Sequence, residues 1–160
     1  MRISVFAMGR LKAGPEKSLA EDYLTRLKAA GPQAGVSRIA VADFAESRGQ
    51  TANQRQSEEA RVLWEAMPPK AFTIALDERG KPMSSDAFAQ LLRRHVDSGT
   101  RDLAFLIGGP DGHAPETRKS AGLLLSFGPM TWPHRLVRVM LIEQIYRAVT
   151  IMVNHPYHRP

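Results

Sequence analysis

The sequence predicts an α/β fold, a mostly parallel sheet with helices on both faces. Short apolar runs rich in β-branched residues alternate along the whole chain with stretches of helical periodicity. Residues 102–107 (DLAFLI) form an uncharged run after Asp102, as a strand covered on both faces requires. No internal repeat, low-complexity segment or linker interrupts the 160 residues, so one domain spanning 1–160 is expected, long enough to bury a sizeable core.

Residues 2–8 (RISVFAM) read as the first strand. A helix over 15–30 opens on Pro15 and closes at Gly31-Pro32, with proline at the start and glycine past the end. Residues 36–42 alternate as a strand. A polar stretch from Asp43 to Gln50 leads to a helix from about Thr51 to Met67; Thr51 with Gln54 matches a capping box, and Pro68-Pro69 stops the helix. AFTIAL (71–76) is a strand and DERGKP (77–82) a turn, after which the Ser84-Ser85-Asp86 cluster caps a helix reaching about Asp97. The strand at 102–107 is broken by GGPDG (108–112), and a short helix starts near Pro115. A brief apolar segment, LLLSF (123–127), leads into GPMTWPH. A long helix over roughly 135–153 ends in the polar tail NHPYHRP.

Composition narrows the function. Lys plus Arg number 22 against 16 Asp plus Glu, a formal charge of +6 and a pI near 10.1. Such a charge favours polyanionic partners, since cations on phosphates release condensed counterions. The chain has no cysteine, which excludes disulfides and thiolate metal sites and suits a reducing compartment. The apolar run in the first ten residues ends at Gly9 and Arg10, so no signal peptide is expected. The most apolar stretch, Val137 to Val153, contains Arg138, Glu143, Gln144 and Arg147 and is too polar for a membrane span. A soluble cytoplasmic protein is expected.

Four segments hold candidate chemistry. The Gly108–Gly112 turn follows the most apolar strand, at the carboxyl end where open α/β sheets bind ligands, and glycine there permits close backbone approach. A tight strand-to-helix turn explains it equally well. It lacks GxGxxG spacing and a GK[ST] ending, so it indicates neither a Rossmann nor a P-loop phosphate site. The segment Ser126–His134 is stiff, apolar and rich in backbone groups, which suits an adenine ring, although a loop packed into the core has the same composition. The last helix is apolar at Val137, Leu141, Ile145, Ala148 and Met152, with further apolar residues widening that stripe almost around it. Burial on nearly all sides predicts a homodimer. Its Arg135, Arg138 and Arg147 are candidates to face RNA phosphate, with Glu143–Arg147 as an i,i+4 pair the alternative. The tail residues His155, Tyr157, His158 and Arg159 suit stacking on an unpaired base and holding a phosphate. Two histidines flanking Tyr157 match no standard zinc pattern, so no metal is expected. His95 and His113 carry no assignment.

Taken in order, LD-x-x-GK at 76–81, LIGGPDG at 106–112, LSFGPMTWPHRLVRVMLIEQIYRA at 125–148 and NHPYHR at 154–159 resemble the RlmH family of SPOUT methyltransferases over essentially the whole chain. The resemblance implies a single SPOUT domain with a C-terminal trefoil knot over about 71–160, an exception to the rule against knotted chains. It implies a homodimer that binds S-adenosyl-L-methionine at Leu76, Gly108, Phe127, Gly128, Pro129, Met130, Thr131 and Trp132. It also implies methylation of N3 of pseudouridine in helix 69 of 23S rRNA within the ribosome. On that reading the catalytic candidates are His155, Tyr157, His158 and Arg159, with Arg138 in support. The rival readings are a methyltransferase acting on tRNA or another rRNA site, and an inactive ribosome-binding protein. A nucleotide hydrolase would need a phosphate-binding Lys and Mg²⁺-holding residues that the GGPDG turn lacks.

Overall fold

The computed structural model describes residues 1–158; of the sequence-predicted site residues, Arg159 lies outside them. In chain order the elements are β1 (Arg2–Met8), α1 (Pro15–Ala30), a 3₁₀ turn (Gly31–Ala34), β2 (Arg38–Phe44), α2 (Ala52–Ala66), β3 (Phe72–Pro82), α3 (Ser85–Asp97), β4 (Asp102–Ile107), α4 (Pro115–Ser120), β5 (Leu123–Ser126) and α5 (His134–Met152). The strands form one parallel sheet in the order β2-β1-β4-β3-β5.

Alternation along the central strands splits the apolar residues between two layers. Ile3, Val5 and Ala7 of β1, with Leu103, Phe105 and Ile107 of β4, face a core shared with α1, α3 and α5. Phe6 and Met8, with Ala104 and Leu106, face a smaller core closed by Leu63 of α2. All six residues of β4 are buried, which accounts for its unbroken apolar sequence. Each large side chain so placed contributes about 1.5–3 kcal/mol by leaving water.

Three boundaries depart from the sequence reading. The glycine in the left-handed region after α1 is Gly35 (φ +79°), because the chain continues from Gly31 into a 3₁₀ turn. Val36 N–H donates to the Gly31 carbonyl at 2.9 Å and closes that turn, which delays β2 to Arg38. β3 does not stop at Leu76. It bulges, Leu76 and Lys81 both pairing with Leu125, so the expected 77–82 turn is an outward loop inside a longer strand. Gly80 is required there, since a Cβ would lie 2.6 Å from the Leu125 backbone. The caps behave as read for Thr51, whose Oγ1 accepts from Gln54 N–H at 3.1 Å. Ser84 likewise accepts from Ala87 N–H at 3.2 Å. The Gln54 side-chain Oε1 accepts from Gln50 N–H rather than from Thr51 N–H, so the box is only half formed.

Within α5, Val139, Leu141, Ile142, Ile145, Ala148, Val149 and Met152 are covered by the chain's own α1, α3 and sheet, while Met140 is half-buried and Leu136 is 41% exposed, so the apolar edge at the start of this helix stays open.

Candidate active site

The carboxyl ends of β4 and β5 carry the two Gly/Pro-rich segments, 108–112 and 127–133, and α2 holds the first of them in place. Arg55 grips Asp111 with two bonds, Nε to Oδ2 at 2.6 Å and Nη2 to Oδ1 at 2.9 Å. Gln56 Nε2 donates to the Asp111 carbonyl at 2.6 Å. Hydrogen bonding to Arg55 keeps the Asp111 carboxyl below the usual range. Within the turn, Gly112 N–H donates to the Gly109 carbonyl at 2.9 Å, and Gly112 takes φ +74°, a conformation that favours glycine.

Glu59, one helical turn beyond Arg55, is 4% exposed. Its Oε1 accepts from Ser47 N–H at 3.0 Å, and its buried Oε2 has no partner. Burial raises this carboxyl above its ordinary value; the Ser47 hydrogen bond opposes the rise, and so does the Gly109 N–H without making a bond of good geometry. A Cβ on Gly109 would lie 2.6 Å from Oε2, so glycine lets the turn close on this side chain without displacing it.

Between the turn and the 125–132 segment lies a cavity of about 380 Å³, within the size range of small-molecule sites. Leu76, Gly108, Phe127, Gly128, Met130, Thr131 and Trp132 line it together, so the fold gathers most of the sequence-predicted cofactor residues in one place. Pro129 is exposed and outside the lining. Ser126 Oγ binds both N–H and carbonyl of Gly128 at 3.1 Å, and Gly128 takes φ +105°. Beyond it Met130 is 68% exposed and Trp132 38% exposed, large apolar groups facing open space.

The β3 bulge and α4 add Asp77, Glu78, Arg79 and Arg118 to the polar part of the lining, which Gln56, Asp111 and His134 share. Arg118 Nε donates to Asp77 Oδ2 at 2.7 Å. Burial pulls the Asp77 carboxyl up, but Arg118 and the Arg79 N–H outweigh it and leave the group ionised more readily than usual. His113 lies buried beneath with Nε2 unpartnered, and burial, against the pull of Asp77, lowers its pKa and keeps it neutral. His95, the other unassigned histidine, packs on Phe72 at 4.3 Å between centroids and bonds to Thr100 at 3.0 Å.

The tail does not join this cavity within one chain. Tyr157 packs on Tyr146 at 4.7 Å, and its O–H donates to Glu143 Oε1 at 3.0 Å, with the Tyr23 hydroxyl 3.3 Å away. Burial and these neighbours push its pKa well up. Arg147 lies 4.8 Å over the Tyr157 ring and pairs with Glu143 at 2.6 Å, the i,i+4 alternative. His158 Nε2 lies 3.5 Å from Asp86. His155 is exposed, with Nδ1 accepting from Tyr157 N–H at 3.2 Å.

Arg138 does not face RNA phosphate. It is 1% exposed and ties α5 to the carboxyl end of β1, pairing with Asp43 at 3.0 Å and donating to the Met8 and Gly9 carbonyls. Burial lowers its pKa against the pull of Asp43, yet a guanidinium stays charged. Arg138 therefore acts as an internal tie rather than as a group that touches substrate.

Sequence reasoning missed Arg55, Gln56 and Glu59. On an amphipathic helix such residues read as a solvated face, and only tertiary placement aims Arg55 and Gln56 at an aspartate 56 and 55 residues away.

The family model described as "Predicted SPOUT methyltransferase" matches residues 1–158. The Ribosomal RNA large subunit methyltransferase H of Brucella anthropi is 52% identical over 159 residues, covering 99% of both chains. That of Brucella abortus is 48% identical over 168 aligned residues, again covering 99% of each. A solved structure, the SpoU methyltransferase AviRb from Streptomyces viridochromogenes in complex with AdoMet, is 13% identical with a TM-score of 0.41, covering 96% of this chain and 61% of that one. With a family match over nearly its full length and relatives at about half identity end to end, the chain belongs to the SPOUT methyltransferase family.

Proposed function

We propose that this chain transfers a methyl group from S-adenosyl-L-methionine to N3 of a pseudouridine in helix 69 of 23S rRNA. It acts on the assembled ribosome in the cytoplasm, as a homodimer. The observation that carries the reading is the cavity at the carboxyl ends of β4 and β5, beside the β3 bulge, where two Gly/Pro-rich segments leave backbone groups and apolar side chains around one space. The curated relatives, named for large-subunit rRNA methylation, support the substrate class. Among the described residues no helix is long and apolar enough to cross a membrane. The same reading assigns the trefoil knot to about residues 71–160.

The lining fits the cofactor. Leu76 and Phe127 offer apolar surface and Gly108 an open backbone edge for an adenine, while Asp77 and Arg118 offer ionised groups for its polar arms. Bound there, S-adenosylmethionine supplies a methyl group already activated by its sulfonium, so no metal is called for. The protein's task is to hold N3 in line with that methyl group, a matter of proximity and orientation. N3 carries an imide proton that must leave as the N–C bond forms, so a base or a cation nearby assists. His155 is exposed, and its Nδ1, the acceptor of the Tyr157 N–H, takes that proton once the tail releases this contact. Tyr157, His158 and Arg159 are the candidates to seat the base, with Arg138 in support through the helix it anchors. Because the tail folds on α1 and α5 of its own chain, away from its own cavity, the tail of a second subunit is the economical source of these groups.

The test incubates labelled S-adenosylmethionine with intact ribosomes, separated subunits and tRNA, and maps the modified base by mass spectrometry. Label at N3 of a helix 69 pseudouridine is expected; label in tRNA alone overturns the substrate. Calorimetry showing no uptake of S-adenosylmethionine overturns the enzyme reading. A His155→Ala variant with wild-type turnover at saturating substrate removes the proposed base.

A further inference from the structure

A second concave surface adjoins the cofactor cavity. It is a groove of about 400 Å³ at the carboxyl end of β1, between the loops after β1 and β2 and the start of α5. Arg10 and Lys12 rise from the first loop, Arg48 from the second, and His134 and Arg135 from the helix. His134 lines both this groove and the cofactor cavity, so the two adjoin at that side chain.

The charge of the groove is unbalanced. Arg10, Lys12, Arg48 and Arg135 are all exposed. None belongs to a salt bridge among the described residues, whereas Arg2, Arg55, Arg118, Arg138 and Arg147 each have a carboxylate. The acid in the lining is Glu46, 3.5 Å from His134. The floor adds little negative potential, because Arg138 takes up the Met8 and Gly9 carbonyls and Asp43 from beneath. Asp43 also accepts Leu11 N–H at 2.9 Å, which fixes the loop bearing Arg10 and Lys12. Gly9 (φ +81°) permits the convergence, as a Cβ there would sit 2.8 Å from Glu46 Oε1 and 2.9 Å from His134 Nε2.

We infer that this groove seats the phosphodiester backbone of the RNA beside its target nucleotide, and that the strand enters the methyl-transfer cavity past His134. Four unpaired cations around a concave channel match a polyanion, and their phosphate contacts position a substrate without reading its sequence. The inference rests on the proposed RNA methylation and deepens it by naming where the substrate lies.

The test reverses charge in the groove with Arg10→Glu/Arg48→Glu. A control pair at the opposite, amino end of the sheet, Lys28→Glu/Arg38→Glu, changes net charge equally. Each protein is assayed on whichever RNA the wild type methylates, so an error in the proposed acceptor does not mask the result. Calorimetric binding of S-adenosylmethionine serves as the check on folding. The groove pair is expected to raise KM for RNA at least about tenfold, and to flatten the slope of log kcat/KM against log salt by about one unit for each phosphate no longer neutralised. Cofactor binding is expected to stay at the wild-type value, and the control pair to change none of these. Wild-type KM and salt slope in the groove pair overturn the inference, as does an equal loss in the control pair. If Arg10→Glu/Arg48→Glu abolishes cofactor binding, Arg10→Gln/Arg48→Gln is read by the same criteria.

Discussion

The Gly108–Gly112 turn and the 127–133 loop wall the same cavity and are held in opposite ways. Asp111 takes three side-chain bonds from α2, two from Arg55 and one from Gln56, and Glu59 closes the space behind Gly109. The loop has Ser126 at its near end and the internally tied α5 at its far end. Between them Met130 and Trp132 stand exposed. One wall is preorganised by tertiary contacts that need no ligand. The other carries the apolar surface that gains most from covering a ligand. A site so divided spends little ordering entropy on its backbone donors and leaves the adjustable part to the cofactor or a second subunit.

The far anchor is the place to break this division most severely. Arg138→Met removes the buried partner of Asp43 and leaves the Met8 and Gly9 carbonyls without their donor. Asp43 is a third exposed and can rehydrate, so the loss comes mainly from the two buried carbonyls, about 1–3 kcal/mol for groups left unsatisfied, and urea denaturation should show a loss of that size. A loss below about 1 kcal/mol would mean that water reaches these groups and that α5 is not held here.

The preorganised wall comes next. Arg55→Gln keeps a donor but loses the fork on Asp111, freeing a turn that walls the cavity proposed for methyl transfer. Small misplacements near a transition state cost up to about 100-fold in rate, so kcat/KM should fall toward that limit with thermal stability little changed. Adding Asp111→Asn to the variant should then cost little more, because the bond is already gone. Additive losses would show that Arg55 and Asp111 act separately.

The adjustable wall should respond in binding alone. Trp132→Ala removes a ring that is already 38% exposed, so stability should stay within about 0.5 kcal/mol. If the ring covers the cofactor, calorimetry should show affinity weaker by about tenfold, the worth of covering part of an aromatic side chain. Unchanged affinity would show that the ring does not cover the cofactor.

This contrast also marks what could be read from the sequence. The strands around Val5, Phe105 and Leu125, the helix caps at Thr51 and Ser84, and the glycine turn all follow from local pattern, and the family motifs carried most of the cavity lining. The brace from α2 did not, since Arg55 and Glu59 look like any solvated helix face until the fold brings Asp111 and Gly109 to them. The burial of Arg138 was hidden for a related reason. An arginine in an apolar helix reads as an exposed interruption, and only the carbonyl ends of β1 make it an internal tie. The long β3 with its bulge escaped because DERGKP has turn composition, and pairing with Leu125 is a tertiary event.

The smallest expected effect isolates the buried carboxyl behind the turn. Burial raises the Glu59 pKa above its unfolded value. A group of that kind contributes stability that is fully present below the unfolded pKa and lost as pH rises through the folded value. Glu59→Gln removes the titration while keeping shape and an acceptor for Ser47 N–H. The wild type should therefore lose ground to the variant as pH rises from about 4 to about 8, in denaturation midpoints measured side by side. If instead the wild type gains on the variant over that range, the Ser47 and Gly109 N–H groups hold the carboxylate strongly enough to overcome desolvation, and the ionised Glu59 would itself be part of what keeps the turn in place.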